Sequence, residues 1–182
     1  FLYKQFFRVE LGDLNYSNSK RPQTLPTCFS HSEAMSVIGK LSGIHRLLAS
    51  LMYGSGLRVM ESVRLRVQDV DFENGCLIVR ETKGLKWRRT LLPSSLKREL
   101  ENQVSYVKAL HSQDLIDGFG AVYLPGALVR KYPNAATELI WQYLFPSKNL
   151  SQDPRSNNLR RHHIGEQQVQ RAVKRAVHAA KI

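Results

Sequence analysis

Acidic residues are scarce in this sequence of 182 amino acids: 15 Asp and Glu face 27 Lys and Arg, leaving a formal charge of +12 and a pI near 10.0. An imbalance of that size points to a polyanionic partner, most often nucleic acid. Cysteine is scarcer still. Cys28 and Cys76 lie far apart and show no Cys-x-x-Cys spacing, which argues against a disulfide framework and a zinc site. No apolar run reaches 18 residues and no lipidation signal is present, so the rival polyanion, a membrane surface, has no anchor to recommend it. Phe1-Leu2-Tyr3 does not open a signal peptide, because Lys4 and Arg8 interrupt it and no cleavage site follows. The compartment reads as reducing cytoplasm. Repeats and low-complexity tracts are absent, and the missing start methionine fits a fragment of a longer protein.

What is present is globular in kind. Hydrophobic content of 42% and charged content of 23% suit one core of ordinary size. Residues 1–14 carry apolar side chains at Leu2, Phe6, Phe7, Val9 and Leu11 but are too short to bury them alone and end at Leu11-Gly12-Asp13, while 15–26, with Pro22 and Pro26, reads as an extended linker. Ser30-x-x-Glu33 is a capping box that opens a helix with Ala34, Val37, Ile38 and Leu41 on one face, ended by Gly43. Ile44, Leu47, Leu48, Leu51 and Met52 form a second helical stripe. Ser95 is placed to cap a long helix bearing Leu96, Leu100, Val104 and Val107. Beyond it the spacing predicts a short helix at 127–131, another over 135–145, a polar loop over 147–158 and a final helix over 166–181. The fold class expected is mainly α with a small three-stranded antiparallel sheet.

The stretch from Leu51 to Pro93 holds the chemistry. An apolar helix stops at Gly54-Ser55-Gly56 and delivers Arg58, with Glu61 one helical turn later. The segment 67–72 closes on Asn74-Gly75, a strong hairpin signal, and Cys76-Leu77-Ile78-Val79 reads as a strand. Thr82-Lys83-Gly84-Leu85-Lys86 makes a second tight turn before Trp87 to Leu92. A helix end that holds one cation beside a hairpin tip that holds another suits a phosphate.

In these residues the chain resembles the tyrosine recombinases. Gly54-x-Gly56-Leu57-Arg58-x-x-Glu61, Leu65-x-Val67-x-Asp69-Val70-Asp71 and Thr82-Lys83-Gly84 look like their first active-site box and lysine hairpin. Ala127-Leu128-x-Arg130-Lys131-Tyr132-Pro133, Asp153-Pro154-Arg155-Ser156, Arg160-Arg161-His162-His163 and Gln170-Arg171-Ala172-x-Lys174-Arg175-Ala176-Val177 resemble the integron integrases, including the insert that sets that group apart, here about 113–163. The resemblance implies that 1–14 is the tail of an N-terminal DNA-clasping domain, 15–26 the linker and 27–182 the N-terminal part of a catalytic domain. The family's second box, His-x-x-Arg followed by the nucleophilic tyrosine, has no counterpart in the sequence. The reading is therefore a catalytic-domain fragment truncated before that box and inactive by itself.

What the resemblance implies about chemistry agrees with the residue types. Such enzymes use no metal or other cofactor. Arg58 would meet the charge on the non-bridging phosphate oxygens, since its planar fork stays protonated and donates in pairs. Lys83 would give a proton to the leaving 5′ oxygen, with Lys86 its rival in the same turn. Glu61 reads as the partner that orients the site. Lys20 and Arg21 on the linker, and Lys86 and Arg88 around the hairpin, are DNA-contact candidates. In the insert, Trp141, Pro154, His162 and His163 are candidates for a pocket that accepts a base splayed from a folded strand. The partners implied are DNA, both duplex and folded single strand, and other protomers in a tetrameric synapse. A DNA-binding module without catalytic ancestry is the alternative; only in a strand-transfer enzyme must Arg58 and Lys83 converge on one phosphate.

Overall fold

A computed structural model describes residues 5–10, 12, 28–80, 87–124 and 126–182. Residues 81–86, with Lys83 and Lys86, and the linker residues Lys20 and Arg21 lie outside the described residues. Six helices and two small sheets are described. Helix α1 spans His31–Gly39 and opens on the expected capping box: Glu33 N donates to Ser30 Oγ at 3.3 Å and Ser30 N to Glu33 Oε2 at 2.8 Å. Gly43 does not end this helix; it begins α2 (Gly43–Ser55), and the chain turns between them at residues 40–42. Two glycines shape the far end of α2. Gly56 takes the left-handed conformation (φ 63°) that closes the helix. Gly54 lies against Pro93, whose Cγ would stand 2.5 Å from any added Cβ. The short α3 (Val59–Val63) follows at once, with Arg58 at its N-cap.

The segment expected as a strand over 67–72 is mostly a 3-10 turn, Val67–Asp69, before a two-residue strand β1 (Val70–Asp71). Gly75 (φ 60°) turns it into β2 (Cys76–Val79), which pairs with β3 (Arg88–Leu91) to give the antiparallel order β1-β2-β3. The last ladder pair before residues 81–86 is Val79 with Arg88. Helix α4 (Lys97–Ile116) is long, as expected, but Ser95 does not cap it: Ser94–Leu96 forms a 3-10 turn and Leu96 occupies the cap. After the short α5 (Gly126–Lys131), the chain reaches α6 (Glu166–Ala179) through the mostly irregular segment 132–165. Leu48, Leu51, Val63, Leu77, Leu100, Leu144 and Phe145 make the centre of the core, and α6 seals it by packing Val169 against it and resting on α1, α2 and α3.

The helix expected over 135–145 is not formed. Two 3-10 turns, Ala135–Thr137 and Leu139–Trp141, stand there, and from Gln142 onward the backbone is committed to extended pairing on both sides. Val67 N donates to Gln142 O (3.0 Å) and Leu144 N to Leu65 O (2.8 Å), while Ile164 N reaches Phe145 O (2.8 Å) and Ser147 N reaches His162 O (2.7 Å). Helical periodicity cannot register such a segment, because its apolar residues Tyr143, Leu144 and Phe145 are buried consecutively between two neighbours. The buried Gln142 amide completes the arrangement by donating to the carbonyls of Ala136 and Glu138, both at 3.1 Å. The loop expected over 147–158 contains a strand, β4 (Ser151–Gln152), paired with β5 (Leu159–Arg160). Arg161 ties this part back to α4 through both oxygens of Asp114, at 2.5 and 2.7 Å.

One buried carboxylate fixes the base of the β2–β3 hairpin. Asp69, its side chain 3% exposed, accepts Arg80 Nε at 2.5 Å and Arg66 N at 2.9 Å, and the Arg80 guanidinium lies 4.6 Å from the Trp87 ring centre. Burial raises the Asp69 carboxyl above its ordinary range, against the pull of the Arg66 N–H and Arg80. Removing Arg80 leaves that charge poorly compensated, so Arg80→Ala is expected to destabilise the fold by about 3 kcal/mol at neutral pH. The variant's folded carboxyl then lies still further above the unfolded value of about 3.9. Native protein takes up the proton first as pH falls, so the deficit should shrink as pH falls through the folded value. Urea denaturation of both proteins at neutral and mildly acidic pH checks this; a pH-independent difference contradicts it.

Candidate active site

Arg58 leaves the chain where α2 has just ended and α3 begins. Its side chain is 68% exposed, yet it is held: Nη1 donates to Glu61 Oε1 at 2.8 Å, and its own backbone N–H donates to Glu61 Oε2 at 2.9 Å. Glu61 is 6% exposed in its side chain and takes a second guanidinium, that of Arg88 on β3, at 2.8 Å. Burial alone pulls the Glu61 carboxyl upward, but the Arg58 N–H, the Arg58 guanidinium and Arg88 outweigh it and leave the group below its ordinary range. A buried, ionised carboxylate thus carries two cations and leaves a net positive group facing outward. Glu61 thereby brings Arg58 and Arg88 together.

The remaining candidates are placed as follows. Lys83 and Lys86 lie outside the described residues, which stop at Arg80 and resume at Trp87. His162 and His163 lie 4.2 Å apart between ring centres with their planes tilted by 56°, and each lies 5.2 Å from the Tyr143 ring. Burial pushes His162 down to about 4, helped by its neighbour His163, and burial lowers His163 as well, so both are neutral near pH 7. His163 Nδ1 lies 2.8 Å from the Ile164 carbonyl. Trp141 is half-buried and packs against the cluster of Val122, Leu124, Ala135 and Tyr143. Pro154 is exposed in the turn that follows Asp153.

Two features escape sequence reasoning. Arg66 lies with its guanidinium 4.7 Å from the Tyr143 ring centre and donates to the carbonyls of Trp141 and Tyr123, the latter at 3.0 Å. It ties the segment around Trp141 and Tyr123 to the turn that follows α3, and its place next to the buried Leu65 is all that hinted at more than a solvated charge. The outer face of α6 is the second. Read from spacing it is a solvated basic face, but with His45 it lines a cleft of about 600 Å³ through Gln168, Arg171, Lys174, Arg175 and His178. A second hollow of about 250 Å³, with Lys40, Ser42 and Arg175, adjoins it at His45. Among the described residues no group of three or more His, Cys, Asp or Glu side chains is arranged to hold a metal ion, and no helix is long and apolar enough to cross a membrane.

The fold is a helical domain with a small antiparallel sheet, and it carries two guanidinium groups on one buried carboxylate and a basic cleft. The particular family follows from comparison with known proteins. The chain belongs to the phage integrase family of tyrosine recombinases, whose model matches residues 27–182. It is 43% identical over 183 residues to an "Integrase/recombinase" from Escherichia coli and to one from Pseudomonas aeruginosa, covering 100% of this chain and 54% of each relative. A "Tyrosine recombinase XerA" from Pyrococcus furiosus is 41% identical over 88 residues, 47% of this chain and 31% of that protein. The crystal structure of a XerA recombinase matches the whole chain and 51% of its own with a TM-score of 0.53 at 22% identity, a likeness of fold. The chain thus spans about half the length of the first two relatives it matches.

Proposed function

We propose that this chain is the N-terminal part of the catalytic domain of an integron-type integrase, a site-specific recombinase that cleaves and rejoins DNA through a phosphotyrosyl intermediate. The carrying observation is the Arg58–Glu61–Arg88 group, in which a buried carboxylate aims an exposed guanidinium outward. In the reaction a tyrosine oxygen attacks the scissile phosphorus, the bond from phosphorus to the 5′ oxygen breaks, and negative charge builds on the non-bridging oxygens. Arg58 stabilises that charge with preorganised donors. Lys83 delivers a proton to the departing 5′ oxygen. Lys20, Arg21, Lys86 and the basic cleft between α2 and α6 supply phosphate contacts, and the protein works in the cytoplasm as one protomer of a tetramer on paired DNA sites. The attacking tyrosine and a second arginine are not presented by residues 1–182 in the family's motif, so the chain alone is expected to form no covalent adduct on a nicked suicide duplex.

The integron-type part of the reading is supported by the insert, where His162 and His163 stand beside Tyr143 at stacking distance. An enzyme that recombines a folded single strand has a use for a site that accepts unpaired bases; one that acts only on duplex DNA does not. Tyr143 is already packed among Arg66 and the two histidines, and Trp141 belongs to the insert's own core, so the histidine pair is the best-placed surface for a base.

Affinity for duplex DNA is expected to be electrostatic. With a charge of +12, the chain should bind a duplex at roughly micromolar Kd near physiological salt, weakening steeply as salt rises. Fluorescence anisotropy across a salt series checks this, and nanomolar, salt-insensitive binding contradicts it.

A further inference from the structure

Strand β3 grips the end of helix α2 with two side chains. Thr90 Oγ1 donates to the Ser55 carbonyl at 2.7 Å and Arg88 Nη2 to the Gly56 carbonyl at 3.1 Å. Carbonyls at a helix end have lost their intrahelical partners and need others. Arg88 does more than cap, because the same nitrogen donates to Glu61 Oε2 at 2.8 Å. One guanidinium therefore touches Gly56, two residues before Arg58, and Glu61, the residue that holds the Arg58 side chain and backbone.

Arg58 needs such a brace. Two-thirds of its side chain is exposed, and among the described residues the Glu61 carboxylate is the side chain that holds it. Glu61 stands on a five-residue helix whose N-cap, Arg58, comes two residues after the left-handed Gly56 corner, a place where small backbone rotations would swing the guanidinium. Arg88 closes that corner from the sheet side. We propose that Arg88 is a positioning residue that, acting through Gly56 and Glu61, fixes the direction in which Arg58 presents its guanidinium. The inference rests on the reading of Arg58 as the phosphate-facing group, and it gives Arg88 a different task from the simple DNA contact expected of it. Lysine would not replace it, since a point charge lacks the planar fork.

The test uses the 182-residue chain with isotope-labelled arginine, the Arg58 guanidinium signals being assigned through Arg58→Lys. In the unmodified chain, rotation of the Arg58 guanidinium should be slow compared with that of the exposed Arg130. In Arg88→Gln it should approach the Arg130 rate, and the Glu61 titration midpoint should move up because one of the charges holding it down is gone. Arg88→Lys, which keeps the charge, should release Arg58 while moving Glu61 less. Thr90→Val removes the neighbouring bond from β3 to α2 without touching Glu61 and should leave both signals unchanged. Unaltered Arg58 rotation in a folded Arg88→Gln chain, or an equal change in Thr90→Val, overturns the proposal. A second measurement uses a full-length recombinase carrying this sequence. A positioning role makes Arg88→Lys slow cleavage at unchanged duplex affinity. A mere phosphate contact instead trims the salt slope by about one unit and leaves the cleavage rate of bound DNA intact, which also overturns the proposal. Normal cleavage by Arg58→Ala would remove the phosphate reading of Arg58 while leaving the bracing seen in the isolated chain standing.

Discussion

Arg58→Ala and Lys83→Ala, each placed in a full-length recombinase that carries this sequence, are expected to reduce strand transfer by about a hundredfold or more while leaving duplex affinity nearly intact. Both residues act on charge that develops as the phosphodiester is opened. Removing one preorganised donor of that kind typically raises the barrier by about 3 kcal/mol, whereas losing one phosphate contact among many trims the salt slope by about one unit. The two variants should also differ from each other. A bridging sulfur in place of the 5′ oxygen leaves without needing a proton, so it should restore cleavage to Lys83→Ala and not to Arg58→Ala. Lys86→Ala supplies the internal control. If it is the inactive lysine variant, and sulfur rescues it, the proton donor sits three residues further along the hairpin than proposed.

Much of this site was open to reading from sequence because its parts are local. A glycine pair that ends an apolar helix, an arginine two residues on and a glutamate one turn later are fixed by spacing alone, and the structure joins them by bonds within three residues. The capping box at Ser30 and the turn at Asn74-Gly75 are equally local. What was not legible depends on partners far along the chain. Arg88 reaches Glu61 from 27 residues away, and Arg66 meets Trp141 across 75, so neither pairing leaves a trace in periodicity. The misread segment 135–145 fails for the same reason. Its apolar density is that of a buried helix, but its hydrogen bonds go to Leu65 and Val67 on one side and to Ile164 on the other, and a run buried on both flanks looks alike in either conformation.

The histidine pair offers the second large effect. In a full-length parent, His162→Ala with His163→Ala is expected to abolish the preference for a hairpin with protruding bases over the same hairpin with those bases deleted. Stacking of one base on an aromatic face is worth about 1–3 kcal/mol, so the preference lost should lie between about fivefold and a hundredfold for a single base. The pair suits this because it is neutral: burial, with repulsion from His163, holds His162 near 4, and burial lowers His163, so neither ring carries a charge that would bind any phosphate regardless of base. It follows that the preference should stay level across the neutral range and weaken only as acid protonates the rings, the reverse of what two surface cations would give, whose contribution grows as pH falls through about 6.5. Tyr143→Phe keeps the ring against which both histidines rest and should keep the preference. Trp141→Ala is a poor substitute as a test, since that ring packs against Val122, Leu124, Ala135 and Tyr143 and its loss would loosen that cluster. A folded double-histidine variant that still prefers the protruding bases would show that the unpaired bases are held elsewhere.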